Sequence, residues 1–193
     1  YTVRVTNSNG CFATSSATTV TVSARPTVSL SAAPYTKLFP GLTTTLTGEV
    51  TPYGSYTYTW MNNGSILNGA TAATIPVTIN ELGSYTLTAT NSGGCTNISN
   101  AVVIGDSVTA KLFIMPNPND GQFQVSYYST ANSSFTMNVV AARGAVVYSK
   151  FYSIGAPYQR MDVDIRKHNA GIYTIVLVDK NGKRIVAGNV LIN

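Results

Sequence analysis

Tyr85-Thr86-Leu87-Thr88-Ala89-Thr90-Asn91-Ser92-Gly93-Gly94-Cys95 is a near copy of Tyr1-Thr2-Val3-Arg4-Val5-Thr6-Asn7-Ser8-Asn9-Gly10-Cys11, with seven of eleven positions identical at an offset of 84 residues and no gap. Each stretch alternates, meets an Asn/Ser/Gly cluster, and turns back. That is the pattern of a β-hairpin. A lone hairpin is marginal in water. Residues 1–24 are therefore expected to be the last hairpin of a domain whose body lies upstream in a longer protein. Residues 27–105 supply one complete copy of the repeat. Strands are expected at 42–50, 55–61, 72–79 and 84–90, with one closing strand over 96–104. In the second of these, Tyr56, Tyr58 and Trp60 share one face and Thr57 and Thr59 the other.

Composition agrees with strands. Thr, Ser, Tyr and Val dominate, and these favour sheets over helices. No segment shows a convincing 3.6-residue period. Only 10% of residues are charged, against about 25% in an average globular protein. The expected class is all-β: two β-sandwich domains, 25–106 and 107–193, preceded by the 1–24 hairpin. One His, two Cys and seven carboxylates leave little material for catalysis, so neither an enzyme nor a cofactor or metal site is expected. The net charge of +5 lies wholly in residues 109–193, because Arg4, Arg25 and Lys37 are offset by Glu49, Glu81 and Asp106. Such an excess suits an acidic partner or simply a solvated face. Without a dense basic cluster, nucleic acid is not expected as a partner.

The run Glu81-Leu82-Gly83-Ser84-Tyr85-Thr86-Leu87 resembles the tyrosine-corner segment of immunoglobulin domains. The resemblance implies that Leu87 stands where a core cysteine would be, with Leu46 opposite it. It also implies that Trp60 is the buried tryptophan of the third strand. Cys11 and Cys95 occupy equivalent places in neighbouring repeats. Equivalent points on stacked domains lie too far apart for a disulfide; Cys11 could pair with an upstream cysteine, and otherwise each is expected as a small buried thiol.

Beyond Ser107 the texture changes. Lys111–Met115 reads as a short strand, Pro116-Asn117-Pro118-Asn119-Asp120-Gly121 as a turn, and Gln122–Ser129 as an alternating strand. Further strands are expected at 134–141, 145–152, 158–165, 172–179 and 184–192, with tight turns at Arg143-Gly144 and Asn181-Gly182. Three places carry a family resemblance: Pro116–Gly121 with the strand after it, Gly171-Ile172-Tyr173, and the basic terminal hairpin around Lys183 and Arg184. In this order they resemble the C-terminal sorting domain of Bacteroidota type 9 secretion cargo. The near-uncharged end, Ala187–Asn193, departs from the Lys-rich end of many members. The resemblance implies recognition by an outer-membrane shuttle β-barrel, passage through a translocon pore, and then removal by a cell-surface sortase or retention. Localisation would be secreted or cell-surface. On this reading Pro116, Asn117, Pro118, Asn119, Asp120, Gly121, Gly171, Tyr173, Lys183 and Arg184 are the recognition candidates. Gly171 and Tyr173 also read as turn and core residues.

Other chemistry is thin. His168 sits in a polar loop and is expected at the surface. Asp162 and Asp164 share a strand face and are expected to pair with Arg160 or Arg166. An EF-hand register would put Pro116 in the first ligand position, which fails. Asp106-Ser107-Val108 resembles a Bacteroidota O-glycan acceptor, making Ser107 a modification candidate. The competing reading is an adhesin or carbohydrate-binding module, with Tyr35 and Tyr53 as its candidate sugar contacts.

Overall fold

A computed structural model describes residues 1–193. It is all-β, with eighteen strands. β1 (Arg4–Thr6) and β2 (Phe12–Thr14) form a separate hairpin. The middle segment holds β3 (Thr27–Ala33), β4 (Lys37–Leu38), β5 (Thr43–Thr51), β6 (Tyr56–Asn62), β7 (Ser65–Ile66), β8 (Thr74–Thr78), β9 (Gly83–Asn91), β10 (Thr96–Ile98) and β11 (Val102–Asp106). One sheet runs β3-β5-β8; the facing sheet runs β4-β11-β9-β6-β7, with β10 also on β9. The C-terminal segment holds β12 (Phe113–Met115), β13 (Gln122–Ser126), β14 (Ser134–Ala141), β15 (Val146–Ser153), β16 (Met161–Asp164), β17 (Gly171–Val178) and β18 (Arg184–Ile192). Its sheets run β12-β13-β16 and β15-β14-β17-β18.

Each sandwich has its own core. In the middle one, Leu46, Trp60, Tyr85 and Leu87 are fully buried together. The Trp60 indole Nε1–H donates to the Ala72 carbonyl at 2.8 Å, which leaves no orphaned donor in the core. Leu87 lies so close to β5 that a Cβ on Gly48 would fall 2.0 Å from its Cδ2. Leu46 and Leu87 belong to the same buried cluster, from the two facing sheets. In the C-terminal core, Phe135, Met137 and Val139 of β14 face Phe123 and Val125 of β13 and Met161 and Val163 of β16.

One local device recurs three times. A Gly-x-Tyr run opens a strand, and the tyrosine hydroxyl donates to the carbonyl four residues upstream. Tyr56 bonds Pro52 at 2.6 Å, Tyr173 bonds Asn169 at 2.6 Å, and Tyr85 bonds Glu81. Burial, and then the Glu81 charge, push the Tyr85 hydroxyl up to about 12. A second device recurs four times. The turns Asn7–Cys11, Asn91–Cys95, Ala141–Ala145 and Asp179–Lys183 share the same two backbone bonds. In each the fourth residue is a glycine with φ between 78° and 84°, a left-handed conformation that costs a side chain energy.

The repeat holds bond for bond. Ser15 Oγ accepts the Val3 N–H at 3.0 Å, as Ser99 Oγ accepts the Leu87 N–H at 3.0 Å. The packing does not match. Tyr85 and Leu87 are buried, whereas Tyr1 and Val3 are 87% and 65% exposed.

Several expectations need correction. The closing strand over 96–104 is two strands, β10 and β11. Between them Ser99 turns its hydroxyl to Leu87, and the Asn100 side chain bonds both the N–H and the carbonyl of Leu30 at 3.0 Å. A side chain there takes the place of a ladder partner. The strand expected over 122–129 stops at Ser126. Neither cysteine is a buried thiol: both are free, Cys11 exposed and Cys95 half-buried. They follow turn glycines at hairpin tips, where little packs over them.

The segment between the sandwiches is held on both sides. Ser107 N–H donates to the Leu38 carbonyl at 2.7 Å, and the Ser107 carbonyl accepts the Tyr158 hydroxyl at 2.5 Å. Phe39 stacks on Phe113 with centroids 5.4 Å apart, and Phe113 meets Tyr158 edge-on at 5.7 Å.

Candidate functional site

The Pro116–Gly121 loop leaves β12 and crosses to the last strand instead of only linking β12 to β13. Proline at 116 and at 118 fixes φ and removes two donors, so the loop's polar reach comes from its asparagines. Asn117 Nδ2 donates to the Asn189 carbonyl at 3.0 Å, and its Oδ1 accepts the Leu191 N–H at 2.9 Å. The Asn119 N–H donates to the Leu191 carbonyl at 3.1 Å, and the Asn119 carbonyl accepts the Asn193 N–H at 2.9 Å. A parallel bridge links Asn119 to Ile192. The loop therefore acts as one more strand on the β18 edge, which would otherwise lie open for pairing.

The loop is braced from within. The Asn119 side chain is buried; it donates to the Pro116 carbonyl at 2.9 Å and accepts the Gly121 N–H at 2.8 Å. Asp120 Oδ1 accepts the Gln122 N–H at 3.1 Å. Gly121 has φ 100°, and a Cβ there would lie 2.9 Å from the Arg166 backbone. Any other residue meets both strain and a clash. The expected exposed loop is thus exposed at Pro116, Asn117, Pro118 and Asp120 and buried at Asn119 and Gly121.

Gly171 and Tyr173 approach the same strand from its other side. Gly171 pairs with Ile192 and Tyr173 with Val190. Tyr173 is a core residue with its hydroxyl committed to Asn169, so its role is the packing one. Lys183 and Arg184 are exposed at the other end of β18. Eight strand residues, at about 3.4 Å each, put them roughly 27 Å from Ile192. The loop and the terminal strand, two separate elements by sequence, form one unit; the basic hairpin is apart from it.

The remaining candidates are dispersed. Asp164 pairs with Arg166 at 2.7 Å, not with Arg160. Hydrogen bonds from the Arg166 side chain and backbone hold its carboxyl at about 2. His168, expected at the surface, is half-buried, and its Nε2 is enclosed without a partner. Ser107 is half-buried at the inter-domain seam rather than on a free linker. Tyr35 and Tyr53 are exposed but lie at opposite ends of the middle sandwich. Tyr35 follows the end where Ala33 pairs with Thr45; Tyr53 follows the end where Thr27 pairs with Thr51. They form no common platform. No group of three or more metal-ligating side chains comes together.

One stretch of the chain, from the first residue of β12 to the asparagine whose carbonyl Asn117 holds, carries a family likeness. Residues 113–189 match the secretion system C-terminal sorting domain. The sorting domain implies engagement of the type 9 secretion system and export across the outer membrane. No curated protein matches the chain. Among solved structures, the human OSCAR ligand-binding domain aligns over 88% of this chain and 100% of its own, at 15% identity and a TM-score of 0.36. The BSP domain of a biofilm associated protein covers 88% of this chain and 29% of its own, at 17% identity and 0.31. The Bacteroides ovatus mixed-linkage glucan utilization locus protein SGBP-B, in complex with a mixed-linkage heptasaccharide, covers 90% and 48%, at 15% identity and 0.33. Values this low leave the fold to be argued from the strands themselves.

The latch between the Pro116–Gly121 loop and β18 has a measurable signature. Asn119→Ala leaves the buried Gly121 N–H unpaired and removes the donor to the Pro116 carbonyl, which costs about 1–3 kcal/mol. Asn117→Ala removes two edge bonds at about 0.5–1.5 kcal/mol each. Native-state hydrogen exchange should show the Leu191 amide opening faster in both variants while Leu177 stays protected. Unchanged exchange at Leu191 would show that the asparagines do not hold the strand.

Proposed function

We propose that residues 107–193 are the export signal of a secreted or surface-displayed protein, recognised by an outer-membrane shuttle β-barrel and passed through the translocon pore of the type 9 system. Residues 25–106 are a non-catalytic immunoglobulin-like spacer, and residues 1–24 close a further unit of the same kind. A cell-surface sortase removes the domain or leaves it in place. Ser107, at the seam between the two sandwiches, is the O-glycan acceptor.

The convergence on Ile192 carries this reading. Two of the three places that carry the resemblance, Pro116–Gly121 and Gly171–Tyr173, reach the same β18 residue from opposite sides. A recognition element built this way is ordered before it meets its receptor, which lowers the cost of binding. The separation of Tyr35 from Tyr53 weighs against the carbohydrate-binding alternative, since stacking on a sugar chain calls for neighbouring rings.

The test is sufficiency. Residues 107–193 fused behind a periplasm-directed reporter should bring it to the cell surface or medium of a type 9 secreting strain, and not of a strain lacking the translocon. Retention of the fusion in the periplasm of the competent strain would refute the assignment.

A further inference from the structure

The outer face of the four-stranded sheet differs from every other surface of the C-terminal sandwich. The register of β14, β15, β17 and β18 puts Val140, Phe151, Ile172, Val176, Val178 and Leu191 on it, away from the core. Phe151 is 62% exposed and Ile172 59%. Two pairs of its polar side chains are already bonded to one another: Ser149 donates to Asn138 at 2.7 Å, and Thr174 donates to Asn189 at 3.1 Å. An antiparallel sheet ordinarily turns a polar face to water. The opposite sheet does so, with Gln122 and Gln124 aligned with Asp164 and Asp162.

Charge follows the same division. No residue on the strands of this outer face is acidic, and cations stand at both ends. Arg143 lies in the turn beside Ile172, and Lys180, Lys183 and Arg184 lie in and after the turn beside Val178. The one ion pair in the chain is Arg166 with Asp164 on the far side, so these four cations have no carboxylate partner. Asp179, between the sheet and that turn, spends Oδ1 on the Asn181 and Lys183 N–H groups.

We propose that this face is the docking surface of the sorting domain, and that it takes a protein surface with an apolar centre and carboxylates at its two ends. The proposal rests on the export reading above and names the face and the chemistry through which that export partner is met. Desolvation is cheaper here because Ser149, Asn138, Thr174 and Asn189 are paired with one another, and apolar area supplies the contact. The unpaired cations at both ends set orientation and speed encounter with an acidic rim. A one-face contact also leaves the β18 latch closed during binding.

The experiment uses the reporter fused to residues 107–193 in a type 9 secreting strain. Three variants alter the face: Ile172→Asp, Phe151→Asp, and Lys183→Glu with Arg184→Glu. Gln122→Lys alters the opposite sheet. Circular dichroism melting of each purified fusion checks folding, and Phe151→Lys replaces Phe151→Asp if that variant melts early. Exported reporter should fall roughly tenfold or more in the face variants, a factor that about 1.4 kcal/mol of lost docking supplies, and hold in Gln122→Lys. Export of folded face variants at the unaltered level would overturn the docking face while leaving the sorting role intact. Failure of the unaltered fusion to be exported would overturn both. Binding of the purified fusion to phosphatidylglycerol vesicles, or its dimerisation in sedimentation, would also overturn the proposal if lost in the same variants, by naming a lipid or a second copy as the occupant.

Discussion

Deleting residues 109–193 should reduce export of the protein to background, with the truncated chain accumulating in the periplasm. Nothing in residues 1–108 offers a substitute for the family motifs, and the net positive charge is removed with the deleted segment. A second variant separates recognition from mere presence of the domain. Exchanging Asn117–Gly121 for a neutral hairpin loop deletes the two bonds from the Asn117 side chain and the two from the Asn119 backbone to the end of β18. The seven-stranded core remains, because none of its buried residues lies in the exchanged loop. Export should then fall roughly tenfold or more if the latched edge is what the receptor reads, again about 1.4 kcal/mol of lost recognition. The readout is reporter in medium, surface and periplasm, with the melting point of the domain as the folding control. Export of the chain lacking 109–193 refutes the sorting role. Normal export with only the loop exchanged spares that role and moves recognition to the open sheet face and the rest of β18.

Trp60→Ala should destabilise the middle sandwich by about 3–5 kcal/mol, as truncation of a fully buried aromatic does. The loss has three sources. The indole is enclosed between Leu46, Leu87 and their neighbours, so its removal leaves a cavity. The Ala72 carbonyl loses its donor. The loop between β7 and β8, which carries Ala72, loses the side-chain bond that ties it to β6. Against a typical total of ~5–15 kcal/mol, that change leaves the domain near its unfolding threshold. Urea unfolding of residues 25–193 followed by circular dichroism measures it. A midpoint shift under about 1 kcal/mol in equivalent stability would place the indole outside the core. Trp60→Phe should cost less, because most of the volume stays.

What could be seen in the chain before its structure follows from locality. The hairpin turns are written in four consecutive residues, and Asn7, Asn91, Gly144 and Gly182 stand where expected. Strand alternation placed Trp60 inward and Thr59 outward. The tyrosine corner at Tyr85 was visible as a run of seven residues, although its recurrence at Tyr56 and Tyr173 needed the hydrogen bonds to be noticed. The latch was not legible. Asn117 and its partners are 72 and 74 residues apart, and an asparagine between two prolines reads as turn chemistry and nothing more. The break between β10 and β11 was hidden for a related reason. Ser99 and Asn100 look like ordinary polar members of a strand until their side chains take over backbone bonding. For the cysteines residue type points to burial, whereas position after a turn glycine decides exposure. The uncharged sheet face escaped notice because it draws one or two residues from each of four strands, and no single strand looks unusual.

Trp60 is the one tryptophan in the chain, and it lies wholly inside the middle sandwich. Its emission is therefore a private reporter. Excited selectively, the protein should fluoresce at short wavelength while that sandwich is intact and shift to the red when its core floods with water. The C-terminal sandwich, which contains tyrosines but no indole, can melt without any change in that signal. Tyrosine emission and far-ultraviolet dichroism would record both. Two transitions that separate between these optical channels would mean the halves unfold independently. Coincident ones would mean that the aromatic seam from Phe39 through Phe113 to Tyr158 couples them into one cooperative unit.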